Sequence, residues 1–174
     1  MEQINNVMDL MNVLDEIKYG WMDIDQNTYL SIDKGFKKKF VLQRPEEVLA
    51  GKVGTCYDQV ELERQVLKEL GFKFNTYFMI YYDVKKLYTH TFLVYEENEK
   101  FYWLEHAWEL NKGIHEYLSL YDVLKDVKNK FEKFNRLSNM DTDYLCIYKY
   151  KKPKSHIGLK EFYKHCEKGE NVLI

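Results

Sequence analysis

The chain has 174 residues, 45% hydrophobic and 31% charged, which supplies enough apolar material for one folded core and argues against disorder. A formal net charge of −2 and a pI of about 6.2 exclude a general electrostatic attraction to nucleic acid or to an anionic membrane. Acidic residues interrupt the apolar stretches at the N-terminus, where no basic start or cleavage site of a signal peptide is present. We therefore expect one cytoplasmic domain, 1–174, without a membrane span.

The cysteines indicate the redox environment. Cys56, Cys146 and Cys166 are an odd number of thiols without paired spacing, which is typical of a reducing compartment and argues against a disulfide framework. His156, His165 and Cys166 lack the pairwise spacing of metal ligands. We predict neither a metal nor a cofactor.

The first half of the chain contains three predicted helices. Apolar residues recur at helical spacing from Ile4 to Ile17, and Gly20 follows as a stop. The irregular stretch 21–44 predicts a loop with at most one strand. A short helix should begin at Pro45, whose fixed φ suits the first helical position, and a longer one should occupy 56–70.

The second half predicts strands and then further helices. Aromatic and β-branched residues fill FKFNTYFMIYYDV, THTFLVYEE and KFYWLEHAW, and the cluster at 97–99 predicts a hairpin turn between the last two. Helices are expected at 119–134 and 159–168, with a strand at 144–150 between them. This order predicts an α+β fold, in which a helix packs on a mostly antiparallel sheet.

Cys56 is the candidate nucleophile. It follows Gly54 and Thr55 at the first turn of the predicted helix, where unpaired backbone N–H groups and the helix dipole favour an anion. A thiolate is the attacking form of cysteine, so this position suits nucleophilic chemistry. A lone cysteine is often only a small core residue, and further residues have to support the assignment.

His90 and Glu105 supply that support. Strand alternation places His90 on the same face as Phe92 and Val94, where it could reach the start of a helix. Glu105 lies on the far arm of the predicted hairpin, so its carboxylate can sit beside the His90 strand. A nucleophile, a base and an acid that orients the base form a catalytic triad.

Two segments resemble the transglutaminase-like superfamily. PEEVLAGKVGTCYDQVELERQVLKELGF is similar to the half of its core that bears the nucleophile, and THTFLVYEENEKFYWLE is similar to the half that bears the base and the acid. The resemblance covers roughly residues 43–110, flanked by an N-terminal helical segment (1–42) and a C-terminal helix and strand extension (111–174). It implies a papain-like fold and a cysteine hydrolase or acyltransferase that acts on a peptide or carboxamide through a thioester.

The resemblance also implies residue roles. Cys56 would be the nucleophile, His90 the base and Glu105 the orienting acid. Some relatives bind the oxyanion with an upstream Trp or Gln, which makes Trp21 and Gln43 candidates. We expect a peptide or protein substrate.

Aromatic residues near the expected triad are candidates for a substrate groove. They are Tyr57, Trp103 and Trp108, although aromatic side chains at such spacing more often belong to the core. Two basic clusters, 37–39 and 149–152, are more typical of solvated faces than of a nucleic-acid site.

Three alternatives remain open at this stage. His106, within a His-Ala-Trp triplet, competes with His90 as the base, with Asp122 as its acid. The outline also resembles arylamine N-acetyltransferases, although Gly51-Lys52-Val53-Gly54 stands where that family has an Arg-Gly-Gly run. A catalytically inactive binding module is the third.

Overall fold

A computed structural model describes residues 4–82, 85, 87–137 and 144–174. The first third of the chain forms short elements around two helices of seven or eight residues. They are α1 (Val7–Leu14), β1 (Lys18–Tyr19), β2 (Trp21–Met22), β3 (Thr28–Tyr29), α2 (Phe36–Lys39), α3 (Pro45–Gly51) and β4 (Val53–Gly54).

The remaining chain forms the long elements. They are α4 (Cys56–Glu69), β5 (Lys73–Tyr82), β6 (Leu87–Glu97), β7 (Lys100–Glu105), a 3₁₀ turn (Glu109–Asn111), β8 (Gly113–Tyr117), α5 (Leu120–Phe134), β9 (Leu145–Tyr150), α6 (Leu159–Cys166) and β10 (Glu170–Asn171). The described residues therefore form a mixed α+β fold.

The main sheet has six antiparallel strands in the order β10-β9-β5-β6-β7-β8. Its β6–β7 hairpin turns through Asn98 and Glu99, which have φ values of 50° and 61°. Positive φ at both central residues is the geometry that matches the right-handed twist of the two strands. Two small sheets, β1 with β4 and β2 with β3, lie outside the main sheet.

Both faces of the sheet are covered by helices. One core contains residues of α1, α4 and α6 together with Phe78 and Leu93 of the sheet. The other core contains residues of α5 together with Tyr77 and Phe92, which alternate with the first set along the same strands. The middle parts of the central strands β5 and β6 are therefore buried on both faces, and their sequences there are almost continuous apolar runs.

Local capping explains where the helices begin. The side chain of Asn6 accepts a hydrogen bond from the backbone N–H of Asp9 at 2.9 Å at the start of α1. The hydroxyl of Ser119 accepts one from the backbone N–H of Asp122 at 3.2 Å at the start of α5. Pro45 is the first residue of α3. Each cap satisfies a backbone donor that has no partner within the helix.

The structure confirms the main predicted helices and long strands and corrects the shorter elements. The stretch 21–44 contains β2, β3 and α2, so the prediction of a loop with at most one strand is wrong. The strands β1, β4, β8 and β10 were not predicted. These short elements owe their structure to pairing or packing with other parts of the chain, which local patterns do not reveal. In the described residues, no helix combines the length and apolarity needed to span a membrane.

Gly20 links β1 to β2 at a position where a side chain has no room. An added Cβ would contact the backbone O of Tyr29 and would lie 2.7 Å from Cγ1 of Val53. We therefore expect Gly20→Ala to lower the free energy of unfolding by about 1–3 kcal/mol, measured by chemical denaturation.

Gly51→Ala provides the matched control. The nearest atom to a Cβ there is Cγ2 of Thr28 at 4.0 Å, and the residue lies within α3, so we expect a neutral or slightly stabilising effect. Equal stability changes at the two glycines would contradict the close packing at Gly20.

Candidate active site

Cys56 is the first residue of α4 and follows the N-cap, Thr55. The carboxylate of Asp58 accepts hydrogen bonds from the backbone N–H of Thr55 at 2.8 Å and from its hydroxyl at 2.7 Å. It also accepts one from the backbone N–H of Gln43 at 2.9 Å, although burial raises the pKa of Asp58 to about 6. These bonds tie the start of α4 to the chain before α3, so the position of Cys56 is fixed.

His90 is held by Glu105. Nε2 of His90 and Oε2 of Glu105 are 2.7 Å apart, and both side chains are buried. The other carboxylate oxygen of Glu105 accepts a hydrogen bond from the backbone N–H of Trp108 at 2.8 Å. Both oxygens are therefore engaged, and a fixed carboxylate in turn fixes the imidazole.

The thiol of Cys56 meets this imidazole where β6 extends beyond the end of β7. In the described register, β7 pairs with β6 only from Leu93 to Glu97, so the part of β6 that contains His90 has no β7 neighbour. Cys56 and His90 line the same cavity, and Cys56 is among the groups whose interactions raise the pKa of His90. Because Nε2 is bound to Glu105, Nδ1 is the ring nitrogen left for the thiol.

His90 carries a positive charge at neutral pH. Burial lowers the pKa of His90, but the negative charge of Glu105 and hydrogen bonds to Cys56 and Glu105 outweigh it and raise that pKa to about 10. A cation beside a thiol favours the thiolate form. Cys56, His90 and Glu105 therefore form a buried cluster of a thiol, an imidazolium and a carboxylate.

Glu63 is a second buried carboxyl group near this cluster. Burial and the negative charge of Glu105 raise the pKa of Glu63 well above its ordinary value. Its Oε2 atom has no hydrogen-bond partner among the described residues. Both effects favour the neutral form of Glu63, and Glu105 is the carboxylate in contact with His90.

Tyr19 belongs to the site but was missed from the sequence. The parallel pairing of β1 with β4 places it opposite Gly54, two residues before Cys56. Tyr19 lines the same cavity as Cys56, and the charge of Cys56, burial and a hydrogen bond to Cys56 raise the pKa of its hydroxyl. The phenol is therefore protonated and can donate beside the thiol. The strand pairing is long-range, so no local pattern indicated it.

The side chains expected to bind an oxyanion are engaged elsewhere. The indole N–H of Trp21 donates to the backbone O of Ser31 at 2.9 Å. The side-chain amide of Gln43 donates to the backbone O of Val53 at 3.0 Å. Neither residue lines the cavity beside Cys56. This geometry corrects the expectation for Trp21 and Gln43, whose donors stabilise the chain before α4.

Of the three groove candidates, Trp108 alone lines the cavity. Its ring lies edge-on to that of His90, with centroids 5.3 Å apart. Trp103 is fully buried in the core next to α5, and Tyr57 is buried with its hydroxyl 2.9 Å from that of Tyr163. The expectation is therefore corrected for Tyr57 and Trp103, whose rings fill the core.

His106 is engaged away from the thiol. Its Nδ1 lies 2.9 Å from Oε1 of Gln59, and its Nε2 lies 3.2 Å from Oδ1 of Asp15. Burial and the positive charge of Lys112 lower the pKa of His106. With both nitrogens engaged, His106 joins α1 to α4, whereas His90 is the histidine that lines the cavity together with Cys56.

A cavity of about 460 Å³ opens beside the cluster. Tyr19, Cys56, His90 and Trp108 line it, together with residues of α5. Its size is that of a site for a small molecule or part of a peptide. Any substrate that reaches Cys56 therefore has to occupy this space.

His156 and His165 lie outside the cavity wall beside Cys56. In the described ranges, no three His, Cys, Asp or Glu side chains come together as a metal site would require. His156 binds the carboxylate of Glu47, and Nε2 of His165 bonds to the backbone O of Lys151 at 2.8 Å. Those histidines therefore have structural partners.

Comparison with known proteins assigns no family. The chain matches no family model, and no curated protein matches it. The similarity to the transglutaminase-like superfamily accordingly stays a resemblance of motifs. Function is therefore inferred from the geometry of the site.

Glu105→Gln keeps the size of the side chain and removes the charge that raises the pKa of His90. The folded-state pKa of His90, about 10, exceeds its ordinary value of 6.5, so the pair stabilises the fold fully below pH 6.5. That stabilisation is lost as the pH rises toward 10. We expect the variant to be less stable than the parent by about 3 kcal/mol at pH 6, with the difference shrinking steadily by pH 9.5.

Glu116→Gln is the control, measured by the same denaturation series. It breaks an exposed ion pair with Lys100, so its small effect should stay constant across this pH range. A constant difference for Glu105→Gln would contradict the raised pKa of His90.

Proposed function

We propose that the protein is a cysteine hydrolase or acyltransferase with a Cys56-His90-Glu105 triad, in a core of the papain or transglutaminase-like kind. Its substrate is a peptide, a protein or another carboxamide, attacked through a thioester on Cys56. The order of elements supports this core: the helix that begins at Cys56 precedes an antiparallel hairpin that bears His90 and then Glu105.

One observation carries the proposal. The His90 imidazole has the Glu105 carboxylate 2.7 Å from Nε2, and the Cys56 thiol lines the same cavity and contributes to the raised pKa of His90. A histidine whose only role is to stabilise the fold would not need a thiol beside its second ring nitrogen. A thiol at a helix N-terminus, beside an imidazole that a buried acid orients, is the arrangement that activates a cysteine.

The charge states of Cys56 and His90 determine the steps of acylation. The thiolate of Cys56 attacks the carbonyl carbon of the substrate, a C–S bond forms, and negative charge moves to the carbonyl oxygen. The imidazolium of His90 then gives its proton to the amide nitrogen, the C–N bond breaks and the amine leaves. The products are a thioester and a neutral His90, which Glu105 still orients.

Deacylation reverses the proton transfer. Neutral His90 removes a proton from water, the oxygen attacks the thioester carbon, and the C–S bond breaks to release a carboxylic acid. The thiolate and the imidazolium are restored. An amine in place of water gives acyl transfer by the same steps. Hydrolysis is the simpler reaction because it needs no second binding site for an amine.

The developing oxyanion needs donors beside Cys56. The backbone N–H of Cys56 belongs to the first turn of α4, where such groups have no partner within the helix. The hydroxyl of Tyr19 is a second donor, since Tyr19 lines the same cavity as Cys56 and its raised pKa keeps it protonated. These two groups take the role expected of Trp21 and Gln43.

The thiols fit the proposed cytoplasmic location. Cys56, Cys146 and Cys166 are all free in the structure, and an unpaired catalytic thiol persists in a reducing compartment.

Alkylation by iodoacetamide tests the nucleophile and its base together. We expect Cys56 of the parent to react at pH 6 at least about tenfold faster than Cys146, because the imidazolium of His90 stabilises the thiolate. His90→Gln and Glu105→Gln should each remove most of this advantage. Mass spectrometry of the peptides that contain the two cysteines gives both rates.

Cys146 is the internal control, because it lies within β9 in the same molecule. Circular dichroism of each variant checks that the fold is intact. If folded parent protein labels Cys56 no faster than Cys146 at pH 6, the proposed chemistry is wrong.

Turnover is tested with a panel of peptide anilides and peptide carboxamides. We expect hydrolysis by the parent, none by Cys56→Ala, and a loss of at least about 100-fold in kcat/KM for His90→Gln. Acid quenching should trap an acyl adduct on Cys56. Acetyl-CoA in the same panel separates amide hydrolysis from acetyl transfer, and a folded parent without activity on any acyl donor would contradict the proposal.

A further inference from the structure

Exposed apolar side chains gather at the mouth of the cavity that contains Cys56. Leu87, Leu110 and Phe134 are 45%, 77% and 56% exposed, and all three line this cavity. They come from β6, the 3₁₀ turn and α5, so the fold brings them together from separate parts of the chain. A cluster of large exposed apolar groups around a concave site is characteristic of a binding surface.

The apolar surface continues inward to the imidazole. The ring of Phe134 lies edge-on to that of Trp108 with centroids 5.3 Å apart, and Trp108 makes the same type of contact with His90 at 5.3 Å. Phe131, which is buried, forms more of the wall. A group bound at the mouth would therefore contact an unbroken aromatic surface down to the proposed base.

The lining offers little to a charged ligand. Among the described residues of the cavity wall, His90 and Glu109 are the only side chains that carry a formal charge apart from the thiol. His90 is already balanced by Glu105, and Glu109 is exposed at the rim. An acidic side chain would lose hydration here without gaining a cationic partner.

We propose that this cavity binds the acyl side of the substrate and selects a bulky, uncharged apolar side chain, aromatic in the first place, on the residue whose carbonyl Cys56 attacks. The assignment rests on the proposed function, because it takes Cys56 as the nucleophile. The volume of about 460 Å³ exceeds that of one phenyl ring, so an aromatic side chain fits together with the backbone next to it.

Chloromethyl ketones of N-acetylated Phe, Ala and Asp test this specificity. The thiolate attacks the methylene carbon, a C–S bond forms and chloride leaves, so each probe marks Cys56 permanently. The rate for each probe is divided by the rate for iodoacetamide, which has no side chain to place in the cavity. We expect the Phe probe to react at least about tenfold faster than the Ala probe, and the Asp probe to be the slowest.

Matched variants locate the preference. Phe134→Ser and Leu110→Ser remove exposed side chains from the cavity wall, and each should lower the Phe-to-Ala ratio about fivefold. Tyr121→Ser on the same helix, α5, and Leu118→Ser change side chains that are 55% and 80% exposed outside the cavity wall. These two controls should leave both the ratio and the iodoacetamide rate unchanged.

The outcomes separate the two proposals. If iodoacetamide labelling depends on His90 but the Phe and Ala probes react equally, the apolar specificity is overturned and the triad stands. If the Phe preference survives both Phe134→Ser and Leu110→Ser, the assignment to this cavity is likewise wrong. If labelling by iodoacetamide does not depend on His90, the triad fails and the specificity built on it fails too.

Discussion

A positive charge buried on His90 requires a buried negative charge beside it, and Glu105 supplies that charge at 2.7 Å. The rest of the site follows from this pair. Burial and the charge of Glu105 raise the pKa of Glu63, because a second carboxylate in the same interior would be repelled by Glu105. The backbone near Trp108 has to turn back toward Glu105 to satisfy its second oxygen. That turn brings the Trp108 ring against His90 and so forms the inner wall of the cavity.

Much of this arrangement could be predicted from the sequence because the signals are local. Gly54, Thr55 and the apolar spacing after Cys56 indicate a helix that begins at the thiol, and the structure confirms α4. The polar cluster at 97–99 between aromatic runs indicates the hairpin, and the register of β6 with β7 follows from it. The candidates Cys56, His90 and Glu105 could therefore be identified from the sequence, and the structure brings their side chains together.

The parts that could not be predicted depend on long-range contacts. Tyr19 reaches the site through a two-residue strand that pairs with distant Gly54, and a strand of that length has no pattern of its own. Trp21 was expected beside the thiol, but its indole N–H bonds to a nearby backbone carbonyl. Trp103 and Trp108 are close in sequence and equally aromatic, but Trp103 lies within β7 and is buried in the core, whereas Trp108 follows the end of β7 and lines the cavity.

The turn at Asn98 and Glu99 determines where Glu105 lies relative to His90. Both residues adopt positive φ, so the two strands are joined by the shortest common hairpin connection. One more residue in the paired arm of β7 would shift its register by one and point Glu105 to the opposite face of the sheet, away from His90. The contact between His90 and Glu105 therefore depends on the number of residues between them, and insertions elsewhere in the outer loops would leave it intact.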